Sequence, residues 1–327
     1  MAGSNFPGGF VGGVTIRGIP LQQAHPGEVF WVNNSSVLAK GAVGGSDSNN
    51  GSYRRPFSTL DYAVGKCTAG RGDIIMVMPG HAETIATAGA LALDVAGVAV
   101  IGLGTGTARP TLTWSVATAT ATIAASNISL YNLIFVGAAA STFVAALFVN
   151  TNAVVAHDVT IDSCEFRDSS ATLGFVKGVT LGTTANQADG FTFTKNKVFR
   201  TLSSPAAAST AVVGGAAYNR ITFDDNLLIN NTVNNNIALG IAFGANAQKH
   251  LSIKGNRSQS VNTGTTAGEL FSGGATSSSG LVSNNHCWHL ASTGLIGPIS
   301  TKLGFVENYC SITGAADKSA LINPVAV

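Results

Sequence analysis

Phe191-Thr-Phe193-Thr-Lys-Asn196, Ile221-Thr-Phe223-Asp-Asp-Asn226 and Leu251-Ser-Ile253-Lys-Gly-Asn256 share one pattern: apolar, any residue, apolar, two further residues, asparagine. Leu303-Gly-Phe305-Val-Glu-Asn308 repeats it. Gly280-Leu-Val282-Ser-Asn-Asn285 has glycine in the first place, and Val159-Thr-Ile161-Asp-Ser-Cys164 has cysteine in the last. Ile128-Ser-Leu130-Tyr-Asn132 is a relative one residue shorter. From Asn132 onward the final positions are spaced by 32, 32, 30, 30, 29 and 23 residues. Each match reads as a short strand with alternating apolar residues, closed by a polar bend. The period is too short for a strand-helix-strand unit with a full helix. The gaps hold more strand-like pieces instead, such as Glu165-Phe-Arg167 and Phe175-Val-Lys-Gly-Val-Thr-Leu181, or Leu227-Leu-Ile229 and Ile237-Ala-Leu-Gly-Ile-Ala-Phe243. Three short strands per period form one coil of an all-β, parallel β-helix, with coils stacked about 4.8 Å apart.

The asparagines follow from this geometry. A sharp bend favours a residue that tolerates left-handed backbone and bonds locally, and stacked amides can form a ladder. Asn196, Asn226, Asn256, Asn285 and Asn308 are therefore expected to be structural. Two residues further on stand Phe166, Val198, Leu228, Ser258, Cys287 and Cys310, a mostly apolar column that should face inward. Cys287 and Cys310 then lie in adjacent coils at a separation that a disulfide permits. The alternative is a buried pair of free thiols, which a reducing cytoplasm favours.

Composition narrows the function. Of the 327 residues, 45% are hydrophobic and only 10% charged, and 39 are glycine. Ordinary soluble domains carry about 25% charged residues. A disordered chain would be charged and poor in apolar residues, and long surface helices need charged faces. The formal net charge of +2 and the absence of a Lys/Arg run exclude a nucleic-acid binder. No apolar run reaches the roughly 20 residues of a membrane span. Met1-Ala-Gly-Ser4 does not start a secretory signal, so synthesis in a cytoplasm is expected. The four cysteines form no CxxC pair, and the histidines lack metal-ligand spacing, so neither a metal nor a cofactor is expected.

The ends of a solenoid need covers. Ser58-Thr-Leu-Asp61 reads as a capping box, followed by an apolar stripe of Leu60, Ala63, Val64 and Cys67 closed by Gly70. The expected organisation is an arm or attachment segment over 1–35, a capping segment with a short helix over 36–72, and a β-helix over 73–327. Within the arm, Phe6-Pro-Gly-Gly-Phe10 has no coil pattern, and Val29-Phe-Trp-Val32 reads as a strand. That strand either adds to another protein or packs on the first coil. The apolar tail Ala320-Leu-Ile-Asn-Pro-Val-Ala-Val327 suggests burial against a neighbour.

Gly45-Ser-Asp47-Ser-Asn-Asn50-Gly51, Pro56-Phe-Ser-Thr-Leu60 and Gly72-Asp73-Ile-Ile-Met-Val77-Met-Pro79-Gly80-His-Ala-Glu83 resemble the opening segments of right-handed parallel β-helix proteins of the pectate-lyase-like class. Many members of that class are bacteriophage virion proteins. The resemblance implies a right-handed parallel β-helix with a short N-terminal capping helix. It does not choose among lyase, hydrolase, tailspike and non-catalytic decoration, because fold does not fix function.

Enzymes on this fold carry carboxylates on the outside of one sheet. The position after each apolar triplet reads Asp162, Thr194, Asp224, Lys254, Ser283, Val306, and the next reads Ser163, Lys195, Asp225, Gly255, Asn284, Glu307. Asp162, Asp224 and Asp225 with Lys195 are the best catalytic candidates, since carboxylates two coils apart approach the spacing of an inverting glycosidase. The favoured reading is nevertheless that they sit at solvated bends, where Asp and Lys are common, and no aromatic residue in these columns offers a sugar platform. Arg71-Gly-Asp73 spells an adhesion tripeptide that a turn also explains.

The expected function is a non-catalytic virion component: a homotrimeric capsid decoration or cement protein. Outward-facing apolar patches such as Phe143–Phe148 and Ile237–Phe243 would form the trimer contact, and the major capsid protein would be the other partner. The alternatives are a tailspike-type depolymerase of cell-surface polysaccharide, using the aspartates above, and a receptor-binding spike that attaches without cleaving.

Overall fold

A computed structural model describes residues 14–16, 19–21, 27–38, 40–140, 145–149, 154–201, 210–231, 240–244, 246–261, 270–272, 277–289, 302–312 and 320–321. The chain coils into an all-β parallel solenoid of three sheets. The first, 10-stranded sheet takes the repeated motif, from Val29–Val32 and Ile74–Val77 through Thr160–Asp162, Thr192–Thr194 and Thr222–Asp224 to Leu251–Lys254, Ser279–Ser283 and Lys302–Val306. The second, also 10-stranded, includes Glu165–Asp168, Lys197–Arg200, Leu227–Asn230, Arg257–Ser260, His286–His289 and Tyr309–Ile312. The third has 7 strands, among them Leu91–Leu93, Ala145–Val149, Lys177–Leu181 and Thr210–Gly214.

Equivalent motif positions stack in register: Ile161 on Phe193, Phe193 on Phe223, Phe223 on Ile253. Period-two alternation sends these side chains inward, where each is fully buried. Aromatic rings pile along the axis. Phe135 stacks on Phe166 with centroids 4.7 Å apart, and Phe193 on Phe223 at 5.4 Å. Such pairs add to the hydrophobic gain of burial.

The asparagine side chains bond coil to coil. The Asn196 Oδ1 accepts from the Cys164 N–H at 2.8 Å, and Asn226 Oδ1 from the Asn196 N–H at 2.9 Å. Asn256, Asn285 and Asn308 continue the series, each accepting from both the main-chain and the side-chain N–H of the asparagine before it. The left-handed residue is not the asparagine but its predecessor: Ser163, Lys195, Asp225, Asn284 and Glu307 have φ between 51° and 57°. Asn132, with φ of 56°, belongs to this preceding column, which is why its motif looks one residue short. Dividing the work this way leaves the asparagine inside, free to bond along the axis. Cys164 ends the ladder. Its thiol donates to the Asp162 carbonyl, and burial pushes it up to about 12.

The first coil is closed by its own chain. Val29–Val32 pairs in parallel with Ile74–Val77, so it is a strand of this molecule's own sheet. Residues 6–13 of the expected arm lie outside the described residues. The helix is Leu60–Val64, and it buries Leu60, Ala63 and Val64. Its N-cap is Thr59, one residue later than the capping-box reading, and Asp61 instead accepts from the Ala92 N–H at 2.8 Å, tying the helix to the third sheet. It stops at Gly65, because Lys66 and Cys67 bond back in tighter turns. Glu83 caps from below: its carboxylate accepts from the Leu60 N–H at 2.9 Å and lies 3.2 Å from His81 Nε2. The other ring nitrogen of His81 accepts from the Asn34 N–H, which leaves the proton on Nε2.

Two carboxylates lock this segment and make it acid-sensitive. Asp73 accepts from Arg71 Nε at 2.7 Å and Nη2 at 2.8 Å, and from the N–H groups of Thr68 and Glu28. Asp47 accepts from the N–H groups of Ser58 and Thr59 and from the Thr59 hydroxyl. Burial pushes both carboxyls up, but these hydrogen bonds outweigh it and hold both below the ordinary value. Carboxyls lowered in the folded state stabilise fully above their unfolded value, about 3.9, and lose that contribution as pH falls through the folded value. Acid is therefore expected to loosen the capping segment first, below about pH 4. Hydrogen exchange should show the Thr68 and Ser58 amides losing protection before those of Asn226 and Asn256. Simultaneous loss would refute a separate capping unit.

Two expectations about the surface need correction. Within Phe143–Phe148, the residues Ala145, Ala146 and Leu147 are buried, and within Ile237–Phe243 so are Ile241 and Phe243. These residues supply the third sheet's inner face, which leaves the half-buried Phe148 and Ala242 as the more accessible described residues of the two stretches. Residues 143–144 and 237–239 lie outside the described residues. At the far end, Ala320–Leu321 turns back and pairs antiparallel with Tyr309–Cys310, so this part of the tail covers the last coil; residues 322–327 lie outside the described residues. Cys287 and Cys310 are backbone register partners on adjacent strands. Cys287 is a buried free thiol, pushed up to about 11 by burial; the Cys310 side chain lies outside the described residues.

Candidate functional site: a basic cleft at the bend between two sheets

The residue after each ladder position opens a strand of the second sheet and points outward. In register these are Ile134, Glu165, Lys197, Leu227, Arg257, His286 and Tyr309. Where Ile134, Glu165 and Lys197 meet the Thr105–Thr107 turn, the bends enclose a cleft of about 500 Å³. Arg109, Arg167, Lys195 and Lys197 line it with one carboxylate, Glu165. Four of the chain's 18 Lys and Arg thus converge here, while the whole chain carries a formal net charge of only +2.

Glu165 organises the cations. Arg109 Nη2 donates to its Oε2, and Arg167 Nη1 lies 3.4 Å from Oε1. Arg109 Nε also donates to the Gly106 carbonyl, which fixes the turn. Glu165 and Arg109 are each only 12% exposed on their side chains, so this pair is a rigid wall. Lys195 is 65% exposed and reaches from the first-sheet bend, where its left-handed backbone aims it into the cleft. A partly screened surplus of positive charge in a concave site favours an anion over a neutral ligand.

The aspartates read from the sequence are placed differently. Asp162 and Asp224 occupy one column with Thr194 between them, two strand steps or about 9.6 Å apart. Lys195 Nζ lies 3.9 Å from Asp162. Asp162 also accepts from the Ser163 and Thr194 hydroxyls, at 2.5 and 3.0 Å. Asp224 accepts from the Ser252 hydroxyl with both oxygens and from the Lys254 N–H. Burial pushes the Asp224 carboxyl up, and these bonds offset part of that rise. Neither carboxylate lines the cleft; Lys195 does, and Asp225 lines a smaller hollow of about 320 Å³ with Arg257. The four candidates are therefore not brought into one site. The Arg71-Gly-Asp73 tripeptide is closed on itself by the bidentate pair between its two charged ends.

Arg109, Glu165, Arg167 and Lys197 escaped the sequence reading, although a signal exists. Applying the repeat to the position after the asparagine, rather than only to the two before it, places Glu165, Lys197 and Arg257 in one outward column. Among the described residues, no group of three or more His, Cys, Asp or Glu could hold a metal ion, and no helix is long and apolar enough to cross a membrane.

No family model and no curated protein matches the chain. Solved structures do. A rhamnogalacturonan lyase aligns with a TM-score of 0.52 at 13% identity, over 80% of this chain and 69% of that one. A pectate lyase, Pel9A, aligns with a TM-score of 0.45 at 13% identity, over 89% of this chain and 78% of that one. At this identity the first likeness establishes the parallel β-helix fold alone.

Proposed function

We propose that this protein is a passive glycan-binding β-helix that holds an acidic polysaccharide in the basic cleft, the receptor-binding alternative among the readings above. The observation that carries the proposal is the convergence of Arg109, Arg167, Lys195 and Lys197 on one concave site. A uronate carboxylate suits a guanidinium and two flexible ammonium groups. Among the described residues lining the cleft the one carboxylate, Glu165, is tied to two arginines, which argues against a carboxylate-driven hydrolysis and supports binding.

Calorimetry with polygalacturonate as the anionic probe and dextran as the neutral one tests this. The acidic polymer should bind, more weakly as salt rises, and Lys197→Glu should weaken it at least about tenfold. Equal binding of dextran, or indifference to Lys197→Glu, would reject the cleft as the site. Ultraviolet absorbance from unsaturated uronate ends would convert the reading to a lyase. The shortage of charge elsewhere on the chain supports the second reading, a homotrimeric decoration on a bacteriophage capsid. Labelling spread over a particle shell, with no glycan bound, would favour it.

A further inference from the structure

The outward column of the second sheet does not end at the cleft. Beyond Lys197 it continues through Leu227 and Arg257 to His286 and Tyr309, four strand steps or about 19 Å along the axis. Its chemistry changes in a regular way. Lys197 and Arg257 are cations two coils apart, about 9.6 Å, and the half-buried Leu227 separates them. Then come rings: His286 and Tyr309 are exposed, with centroids 5.2 Å apart and planes tilted by 50°. Trp288 lies two residues from His286 on the same outer face, with Cys287 between them pointing inward. These are the aromatic residues that the Asp columns lack.

We propose that the acidic glycan leaves the cleft along the solenoid axis and ends on an aromatic subsite formed by His286, Trp288 and Tyr309, and that its preferred form carries an acidic group on alternate sugars. This rests on the glycan-binding reading of the cleft. A disaccharide repeat spans about two strand spacings, so successive acidic sugars meet Lys197 and Arg257 while the neutral sugar between them packs its C–H face on Leu227. The rings then take a sugar face, as aromatic surfaces with a polar rim do. A chain acidic on every sugar would press one carboxylate against Leu227, which desolvates a charge without a partner.

Size-defined hyaluronan oligosaccharides, acidic on alternate sugars, and oligogalacturonates, acidic on every sugar, provide the test. The hyaluronan octasaccharide should bind about tenfold more tightly than its disaccharide, and the oligogalacturonate pair should gain less with length. Tyr309→Ala and Arg257→Ala should each reduce the gain and leave disaccharide affinity in the cleft unchanged, while Tyr309→Phe should keep it. A gain that survives both alanine variants, or one equal for the two polymers, overturns the inference and leaves the cleft standing. Failure of every disaccharide and octasaccharide to bind overturns both.

Discussion

Asn256→Ala is expected to lower the free energy of unfolding by about 3–5 kcal/mol, from a central rung of the ladder. Asn256 is fully buried. Its Nδ2 donates to the Phe223 carbonyl at 2.7 Å and to Asn285 Oδ1 at 2.9 Å, and its Oδ1 accepts from Asn226 N and Nδ2, both at 2.9 Å. Truncation removes four bonds at once. A buried polar group stranded this way costs about 1–3 kcal/mol, and the Asn226 N–H and the Phe223 carbonyl both lose these partners. Asn256→Asp should be no better, because it exchanges a donor for a buried charge. Chemical denaturation measures the effect. A loss under about 1 kcal/mol would show that the ladder is replaceable by water or by relaxed geometry.

Arg200→Ala is the second large effect, also about 3–5 kcal/mol. Arg200 and Asp168 are an ion pair inside the solenoid, with side chains 1% and 0% exposed and 3.2 Å apart. The guanidinium also donates to the carbonyls of Phe175 and Thr210, at 2.9 and 3.1 Å, so it joins the second sheet to the third. Asp168 in turn accepts from the N–H groups of Phe175 and Thr201. Removing the cation alone leaves a buried carboxylate without its guanidinium, which is far worse than removing both charges. The double change Arg200→Met with Asp168→Leu should therefore recover much of the loss. A single variant as stable as the parent would mean that water reaches this corner.

The same position in successive coils runs Ile85, Trp114, Gly137, Asp168, Arg200, Asn230 and Ser260. From Asp168 onward it is polar, and Asn230 donates to the Ser260 hydroxyl at 3.0 Å. This second polar column has the same spacing as the asparagines and was equally present in the sequence. It was not legible because its residue type changes at every step, whereas the ladder repeats one residue. Lys195 and Glu307 hid the left-handed bend for a related reason: neither is a residue that favours it, and the stacked coils impose it.

By itself the sequence determined the coil. Alternation of period two, recurring about every thirty residues with asparagine at its end, admits one way of burying so many apolar strands, and the parallel solenoid follows. It also located the short capping helix and the inward columns. What only the tertiary structure decided is which side chains share a site. Arg109 is 56 residues from Glu165, and nothing local marks either as functional. Stacking at strand spacing brings residues one period apart into contact, and the turn at Gly106 swings Arg109 across two coils. The aspartates, conspicuous in the sequence as charges in a neutral chain, were drawn instead to the nearest hydroxyls and N–H groups of the next coil.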